Sequence, residues 1–349
     1  MDISQLETPV AVVDLDKLEA NIAGLQRYLD EHGIANRPHI KTHKIPEIAH
    51  MQIDAGAVGI TCQKIGEAEV MARAGIRDIF LPYNIIGEAK LERLMRLTRR
   101  TNLSVTADSA FTVRGLSAAA REAGLELPVL VEFDTGLHRC GVQSPREAAD
   151  LARLIAGSPG LRFEGLMTYP SNDNTDPFVR ETKALLEPDG LAVKRVSGGS
   201  TPSMWQAHTH PEVTEHRAGM YIYGDRYTLR SGAMQLDDCA LTIITTVVSR
   251  PTADRGVLDG GSKTFSSDLL GLDGHGLIVE YPEVRIKKLD EEHGYVDFTE
   301  GQDRPEIGDR VTVIPNHCCV VSNLFNQIVG VRQGRVEVIW PVAARGALQ

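Results

Sequence analysis

The sequence predicts an α/β protein in which a (β/α)8 TIM-type barrel is followed by an all-β domain. Eight short apolar runs alternate with longer helical patterns from about residue 10 to about residue 225. From about residue 231, short strand patterns follow one another without a long helical pattern between them. The 349 residues are enough for both parts, and we expect domains over residues 1–230 and 231–349.

The barrel prediction depends on the spacing of the apolar runs. Runs separated by roughly 20–30 residues of helical pattern are typical of βαβ units with a parallel sheet. Helix stops such as Ala74-Gly75 and Ala123-Gly124 divide them. An open, doubly wound sheet would use the same units and is the alternative. The runs cover residues 35–40, 57–62, 78–82, 103–107, 127–133, 161–167, 192–196 and 213–217, and the helical patterns cover residues 16–29, 67–74, 88–99, 110–123 and 145–156.

The sequence predicts β-structure for the C-terminal third, because turn residues separate its apolar runs. Turn signals include Asp259-Gly260-Gly261 and Gln333-Gly334. A strand pattern within residues 6–15 precedes the first helix and could pair with this domain. The predicted strands cover residues 242–250, 255–259, 276–279, 283–288, 310–314, 327–331 and 336–340.

Composition excludes several classes of protein. The chain has 37 Lys and Arg against 47 Asp and Glu, and this net charge of −10 argues against a nucleic-acid partner. The apolar run at residues 241–248 is far shorter than the roughly 20 residues of a membrane span. The N-terminus carries no basic segment or apolar signal core. Five cysteines without a C-x-x-C pair fit a reducing compartment, so we expect a cytoplasmic protein that does not contact membranes.

Lys41 is the strongest candidate for a catalytic residue. It ends the first predicted barrel strand, where barrel enzymes place their functional groups, in the run Arg37-Pro38-His39-Ile40-Lys41-Thr42-His43-Lys44. Burial at that position would favour the neutral amine, which is the nucleophile that forms a Schiff base with a carbonyl group. A lysine whose ammonium group extends to solvent is the alternative interpretation.

The segment Ser197-Gly198-Gly199-Ser200-Thr201-Pro202 follows the seventh predicted strand and is a candidate phosphate site. Its two glycines allow a tight turn, and Pro202 suits the first turn of a helix whose free N–H groups could bind phosphate. An ordinary strand-to-helix turn would look the same. The segment Arg217-Ala218-Gly219-Met220-Tyr221, after the eighth strand, could complete the site. A barrel, a nucleophilic lysine and a phosphate site together suggest pyridoxal phosphate.

His317 and Cys319 form a candidate metal pair. If this segment is a strand, residues i and i+2 lie on one face, so both side chains could reach one ion while Cys318 points away. Imidazole and thiolate suit Zn²⁺. The alternative is a buried histidine beside structural cysteines.

Several motifs, taken jointly, resemble those of the alanine-racemase-type (fold type III) pyridoxal phosphate enzymes. They are Thr8-Pro9 before Val13-Asp14-Leu15, the run that contains Lys41, residues 135–141, and Ser197-Gly198-Gly199. Within that group the chain is similar to the D-threonine aldolase and D-serine dehydratase family. The motifs that favour this subgroup are Pro315-Asn316-His317-Cys318-Cys319 and Trp340-Pro341-Val342-Ala343-Ala344-Arg345-Gly346.

The resemblance implies roles for particular residues. Lys41 would carry the cofactor, Arg139 would bond its phenolic oxygen, and a divalent Zn, Mn or Mg ion would bind His317 and Cys319. It also implies a homodimer with shared active sites. The residues expected to line the cofactor are Gln63, Tyr169, Thr201 and Tyr221, beside Gly198, Gly199, Ser200 and Gly219.

The implied activity is that of a metal-assisted lyase for D-3-hydroxy amino acids. Retro-aldol cleavage to glycine and an aldehyde is favoured slightly, since Cys62-Gln63-Lys64 and residues 342–346 resemble the aldolases. Elimination to a keto acid and ammonia, as in D-serine or D-3-hydroxyaspartate dehydratases, is the alternative favoured by Cys319 and the residues after Lys41. An amino-acid racemase is a further alternative. A non-enzymatic pyridoxal phosphate-binding protein is a remote one, because such proteins lack a β domain.

Overall fold

The computed structural model describes residues 1–299 and 303–349, which form two compact units. One unit contains a parallel barrel, and the other contains a largely antiparallel β-barrel, so the predicted fold class is confirmed. Both units are assembled from separate stretches of the chain. The barrel unit comprises Leu25–Lys41, Ile48–Gly219 and Ala347–Gln349, and the β unit comprises Met1–Gly24, Thr42–Glu47 and Met220–Gly346.

The chain begins with strand β1 (Val10–Asp14) and helix α1 (Leu15–Glu31). The eight barrel strands are β2 (Ala35–Asn36), β3 (Ile60–Thr61), β4 (Asp78–Leu81), β5 (Asn102–Ala107), β6 (Leu127–Glu132), β7 (Leu161–Met167), β8 (Arg195–Gly198) and β9 (Glu215–His216). The helices that accompany them are α2 (Pro46–Asp54), α3 (Ile65–Arg73), α4 (Glu88–Thr98), α5 (Ala110–Ala123), α6 (Pro145–Ala156) and α7 (Thr175–Leu186). Helix α8 (Arg226–Arg230) follows in the β unit.

The barrel strands are parallel and run in the order β2-β9-β8-β7-β6-β5-β4-β3. The ring closes through the segment after β2. There the Thr61 N–H donates to the Pro38 carbonyl at 2.8 Å, and His39 bridges Thr61 in parallel. β2 is shorter than the predicted run of residues 35–40, because Pro38 has no N–H to continue a regular ladder.

Helices α5 and α6 begin and end where the sequence predicts. The Ser109 hydroxyl accepts from the Thr112 N–H at the start of α5, and Gly124 ends that helix in the left-handed conformation. The Ser144 hydroxyl caps α6 in the same way, with Pro145 in its first turn. These local signals fix the helices between β5, β6 and β7.

The remaining elements belong to the β unit. Its strands are β10 (Leu241–Thr252), β11 (Arg255–Leu258), β12 (Leu277–Ile278), β13 (Arg285–Leu289), β14 (Gly294–Asp297), β15 (Arg310–Ile314), β16 (Gln327–Arg332) and β17 (Arg335–Pro341). Two short helices, α9 (Ser262–Phe265) and α10 (Cys318–Leu324), interrupt them. The order is β11-β14-β13-β12-β15-β10-β1-β16-β17, and a further β10–β11 pairing closes a six-stranded barrel.

Strand β1 lies inside this sheet rather than at its edge. It pairs antiparallel with β10 and parallel with β16. Its Val12 packs with Ile244, Val329 and Val331 in a buried cluster. The first strand of the chain is therefore part of the core of the β unit.

Within residues 1–299 and 303–349, no helix combines the length and apolar character needed to span a bilayer.

Candidate active site

Lys41 lies in a single helical turn, Ile40–Thr42, directly after the closing segment of the barrel. Its side chain is half-buried. Its backbone N–H lies 3.4 Å from the His39 Nδ1 atom, and the His39 Nε2 atom lies 3.0 Å from the Gln63 Oε1 atom. The structure therefore brings Gln63 next to the turn that carries Lys41, through His39.

Arg139 and Tyr169 follow β6 and β7 and lie against each other. The guanidinium carbon of Arg139 is 5.2 Å from the centre of the Tyr169 ring, within cation–π distance. The Asp134 carboxylate accepts from the N–H groups of Gly136 and His138, and this turn shapes the loop that leads to Arg139. Because parallel strands end at one face of the barrel, both residues lie at its C-terminal face.

The glycine turn after β8 packs against a buried histidine. Gly199 has a φ of +94°, and a Cβ atom there would lie 2.3 Å from the His216 ring. Its N–H donates to the Ser171 hydroxyl at 2.7 Å, and the Ser200 and Ser203 hydroxyls are 2.8 Å apart. Only glycine combines this backbone conformation with so close an approach.

The prediction that Pro202 opens a helix after this turn is wrong. A turn in which the Met204 N–H donates to the Thr201 carbonyl at 3.1 Å comes first, and a 3-10 helix then covers Met204–Thr209. The Gly199 N–H is also already bonded to Ser171. The hydroxyl of Thr201 instead accepts from the Gly219 N–H at 3.2 Å, which joins the ends of β8 and β9.

Arg217 lies at these strand ends, and the sequence analysis placed it in the segment expected to complete the phosphate site without giving it a role of its own. Its Nη1 atom donates to the Ser197 hydroxyl at 2.6 Å, and its Nη2 atom donates to the Thr168 carbonyl at 2.8 Å. Complete burial lowers the pKa of Arg217 to about 10. A cation directly after the last barrel strand was the signal that could have found it.

Two further buried groups, Glu132 and His216, lie near Arg217. Burial and the nearby Asp108 raise the pKa of Glu132 to about 7, although Arg139 and Arg217 oppose the shift. Burial and Arg217 lower the pKa of His216 to about 4. Within the described residues, the His216 Nε2 atom has no hydrogen-bond partner. The C-terminal face of the barrel thus contains a buried cation and a neutral imidazole with an unused ring nitrogen.

Tyr221 belongs to the β unit, in the 3-10 turn Met220–Ile222, and it is almost fully buried. Nearby in that unit, the buried Asp225 carboxylate accepts from the Thr228 N–H at 2.8 Å and from the Cys318 N–H at 3.0 Å. Asp225 therefore caps α8 and also holds the first turn of α10.

The candidate metal pair is not on a strand, so that part of the prediction is wrong. His317 is the N-cap of α10, and Cys318 and Cys319 are its first residues. The capping contact from Asp225 to Cys318 explains the helix start. Because consecutive residues of a helix do not point to opposite faces, Cys318 does not point directly away from Cys319. Burial raises the pKa of the Cys318 thiol, and its hydrogen bonds to Cys319 and Asp225 raise it further.

The two side chains of the pair nevertheless interact. Burial opposes protonation of His317, but Cys319 and Asp268 outweigh it and raise the pKa of His317 to about 9. The His317 Nδ1 atom lies 2.8 Å from the Asp268 Oδ2 atom, and the Cys319 Sγ atom lies 3.1 Å from the Thr42 Oγ1 atom. Across the described part of the chain, no three His, Cys, Asp or Glu residues are grouped as metal ligands.

Comparison with known families gives two matches along the chain. Residues 13–227 match the family described as "Alanine racemase, N-terminal domain", and residues 240–331 match the "Putative serine dehydratase domain". The first match covers well over half of the chain. The chain belongs to the alanine racemase N-terminal domain family. The resemblance noted in the sequence is thus confirmed.

Characterised relatives of this alanine-racemase-type chain include aldolases. It is 34% identical to 3-hydroxy-D-aspartate aldolase of Paracoccus denitrificans and 35% identical to D-threonine aldolase of an Arthrobacter species, each over 99% of this chain and 94% of the relative. The crystal structure of D-threonine aldolase from Filomicrobium marinum is similar with a TM-score of 0.90 and 31% identity, over 99% of this chain and 97% of that chain.

A dehydratase is also among the relatives. D-threo-3-hydroxyaspartate dehydratase from a Delftia species is 31% identical over 92% of this chain and 93% of the relative. Within this alanine-racemase-type chain, the first family match contains the candidate cofactor residues, and the second contains His317 and Cys319.

Proposed function

We propose that this protein is a pyridoxal phosphate-dependent lyase that acts on D-3-hydroxy amino acids. The observation that carries the proposal is the 34–35% identity to two D-3-hydroxy amino acid aldolases over 99% of the chain. Because the aligned region covers 99% of this chain, the similarity to these relatives extends over both units and not over the barrel alone.

The buried groups at the C-terminal face of the barrel fit the cofactor. Arg217 offers a desolvated cation, and the unused Nε2 atom of His216 lies among the same strand ends. We propose that Lys41 holds the cofactor covalently and that Arg139 binds its phenolic oxygen. When bound, the cofactor supplies an electron sink for charge that develops at Cα. The residues proposed to line it are Gln63, Tyr169, Gly198, Gly199, Ser200, Thr201, Gly219 and Tyr221.

The donor set of His317 and Cys319 fits a divalent ion. An imidazole whose Nδ1 atom is bonded to a carboxylate, as His317 is to Asp268, is the usual arrangement of a metal-binding histidine. The thiol of Cys319 is a second soft donor, which favours Zn²⁺, with Mn²⁺ and Mg²⁺ as alternatives. The ion would supply Lewis acidity at the substrate's β-oxygen.

Retro-aldol cleavage is the first outcome that we propose. The β-hydroxyl loses its proton and becomes the aldehyde oxygen as the Cα–Cβ bond breaks, and Cα then takes up a proton to give glycine. Elimination is the second candidate, because the Delftia dehydratase is also a relative over most of the chain. It removes the Cα proton and the hydroxyl group and gives a keto acid and ammonia. A racemase would leave the metal pair without a role.

The deciding experiment is product identification. The purified protein, supplied with pyridoxal phosphate and a divalent metal, is incubated with D-threonine, D-serine and D-3-hydroxyaspartate, and with their L-isomers. Glycine and an aldehyde from the D-isomers support the aldolase, and a keto acid with ammonia supports the dehydratase. Turnover of the L-isomers alone would contradict the proposal. Bound cofactor without any product would favour a non-enzymatic binding protein.

We also propose a homodimer with shared active sites, in accordance with the resemblance. Sedimentation would measure its mass. Mixing a Lys41→Ala subunit with a Cys319→Ala subunit would test one form of sharing, since activity returns only if the Lys41 and the Cys319 of one site come from different subunits.

A further inference from the structure

An arginine-rich groove lies on the outside of the barrel, far along the chain from the residues proposed for catalysis. It is a cavity of about 630 Å³ at the C-terminal ends of α3 and α4. Glu69 is the one carboxylate among its lining residues within the described chain. Six arginines line it, namely Arg73, Arg77, Arg93, Arg96, Arg99 and Arg100.

Three of these arginines already have partners. Arg93 forms a two-pronged ion pair with Glu69, with both distances 2.9 Å. Arg77 donates to the Arg100 carbonyl at 3.1 Å, and Arg99 donates to the Ala123 carbonyl at 2.6 Å. These contacts explain why three guanidinium groups are held in place at the groove.

The other three guanidinium groups have little to bind. Arg96 forms a 3.6 Å pair with Glu92, in which both side chains are more than 60% exposed, and such pairs contribute almost nothing. Arg73 and Arg96 also attract the Glu69 carboxylate, but Glu69 is already paired with Arg93. In the part of the chain that the structure describes, neither Arg73 nor Arg100 makes a side-chain hydrogen bond or ion pair. Favourable interaction with the helix C-termini accounts for Arg73 and Arg96, which lie in the last turns of α3 and α4, but not for Arg100 beyond the last turn.

The groove has the opposite charge to the whole protein. The chain carries a net charge of −10, yet six arginines converge here around one glutamate. Guanidinium groups that line one groove repel one another, and an anion that bridges them reduces the repulsion. Their planar forks match phosphate oxygens in pairs, which makes arginine the preferred residue for phosphate recognition.

We propose that this groove binds a small polyphosphate anion. Its volume is within the roughly 300–1,000 Å³ of small-molecule sites. A single phosphate would reach one or two guanidinium groups, whereas a chain of three phosphates can reach several. The net negative charge of the protein disfavours a long polyanion such as RNA, which would extend beyond the groove.

The experiment measures binding of inorganic tripolyphosphate and of ATP to the holoenzyme by calorimetry. The test variant is Arg73→Glu with Arg100→Glu. The matched control is Arg114→Glu with Arg146→Glu, since both arginines are exposed on α5 and α6 and change the net charge equally. We expect the test variant to weaken binding by about tenfold or more and the control to weaken it by less than about twofold.

Comparison of the two ligands identifies the source of the phosphates. Similar affinities support recognition of the phosphate chain alone, and tighter binding of ATP supports a nucleotide. If the variant Arg73→Glu with Arg100→Glu does not fold, the variant Arg73→Gln with Arg100→Gln takes its place, because it removes the two charges without reversing them. The proposal is overturned if neither ligand binds below about 1 mM, if control and test variants lose affinity equally, or if single-stranded RNA binds and neither triphosphate does.

Discussion

The Cys319 Sγ atom lies 3.1 Å from the Oγ1 atom of Thr42, and Thr42 is the residue that follows Lys41 in the chain. A proposed metal ligand therefore contacts the immediate neighbour of the proposed cofactor lysine. This contact could not be foreseen from the sequence, since 277 positions separate the two residues. The first predictions below therefore concern Lys41 and the pair of His317 and Cys319.

Lys41→Ala should abolish covalent attachment of the cofactor. In the wild-type protein, borohydride should attach the cofactor permanently to the peptide that contains Lys41, because it reduces the C=N bond of a Schiff base to a stable C–N single bond. Peptide mass spectrometry after reduction measures the position. Lys44→Ala is the matched control and should retain the label, since the Lys44 Nζ atom is bonded to Asn323 at 3.0 Å. A label on Lys44 or Lys64 would show that the motif has been misassigned.

His317→Ala or Cys319→Ala should leave the cofactor attached and remove most lyase activity. Each substitution takes away one of two proposed protein ligands, and stabilisation of charge on the β-oxygen supplies several kcal/mol in the transition state. Metal content and kcat are measured side by side. Chelation of the wild-type metal should have the same effect and should be reversed by adding metal. Full activity in metal-free protein would refute the assignment.

Cys318→Ala is the control for the metal pair. Cys318 is fully buried at the start of α10 and interacts with Asp225, so its loss should lower the free energy of unfolding by about 1–2 kcal/mol. Metal content should not change. Denaturant unfolding and metal analysis separate these effects, and a loss of metal equal to that of Cys319→Ala would contradict the assignment of ligands.

Asp268→Asn should weaken metal binding by about 10–100-fold while His317 remains present. The Asp268 carboxylate orients the His317 ring through the 2.8 Å contact with the Nδ1 atom. Titration of the metal-free protein with Zn²⁺, followed by calorimetry, measures the change. Asp273→Asn is a suitable control, because Asp273 pairs instead with Arg285 on the surface. Unchanged affinity in Asp268→Asn would remove this positioning role.

Glu132→Gln should change how the stability of the cofactor-free protein depends on pH. The folded-state pKa of Glu132 is raised to about 7, so the folded state holds a proton that the unfolded state releases above the ordinary glutamate pKa of 4.5. The wild-type protein should therefore lose up to about 3 kcal/mol, relative to Glu132→Gln, as pH rises from 4.5 to above 7. Urea unfolding at several pH values measures the difference, and parallel curves would refute it.

Gly199→Ala should destabilise the barrel by about 2–4 kcal/mol. The new Cβ atom would collide with the His216 ring at 2.3 Å and would also face the strain of a φ of +94°. Gly190→Ala isolates the strain, because Gly190 has a φ of +65° and nothing within 4 Å of the added atom. That control should cost only about 1 kcal/mol. Thermal unfolding measures the stability of both variants. If Gly199→Ala and Gly190→Ala lose equal stability, the contact with His216 is unimportant.

The sequence was informative wherever the controlling interactions are local. Helices α5 and α6 match the predicted residues, because Ser109, Ser144 and Gly124 act within one turn of the helix ends. Strand β15 was also predicted correctly, and β14 was missed. The strand assumed around His317 and Cys319 is helix α10 instead, because Asp225, which is distant in sequence, holds the start of that helix.

The candidate site could be predicted only in part, for the same reason. The motifs located Lys41, Gln63 and the glycine turn, which are recognisable from neighbouring residues. The role of Arg217 depends on Ser197 and Thr168, which come from two other strands. The link from Asp268 to His317 likewise joins residues 49 positions apart. Contacts of this kind follow from the topology and leave no local pattern.

The position of β1 between β10 and β16 has a consequence for synthesis on the ribosome. Strand β1 is made first, but its partner β16 emerges more than 300 residues later. At bacterial to eukaryotic elongation rates, this delay is roughly 15–60 seconds. During that time an apolar strand stays without its full complement of neighbours, while β2 to β9 can already pair. Nascent chains of this protein should therefore need shielding of their first fifteen residues until translation has nearly finished.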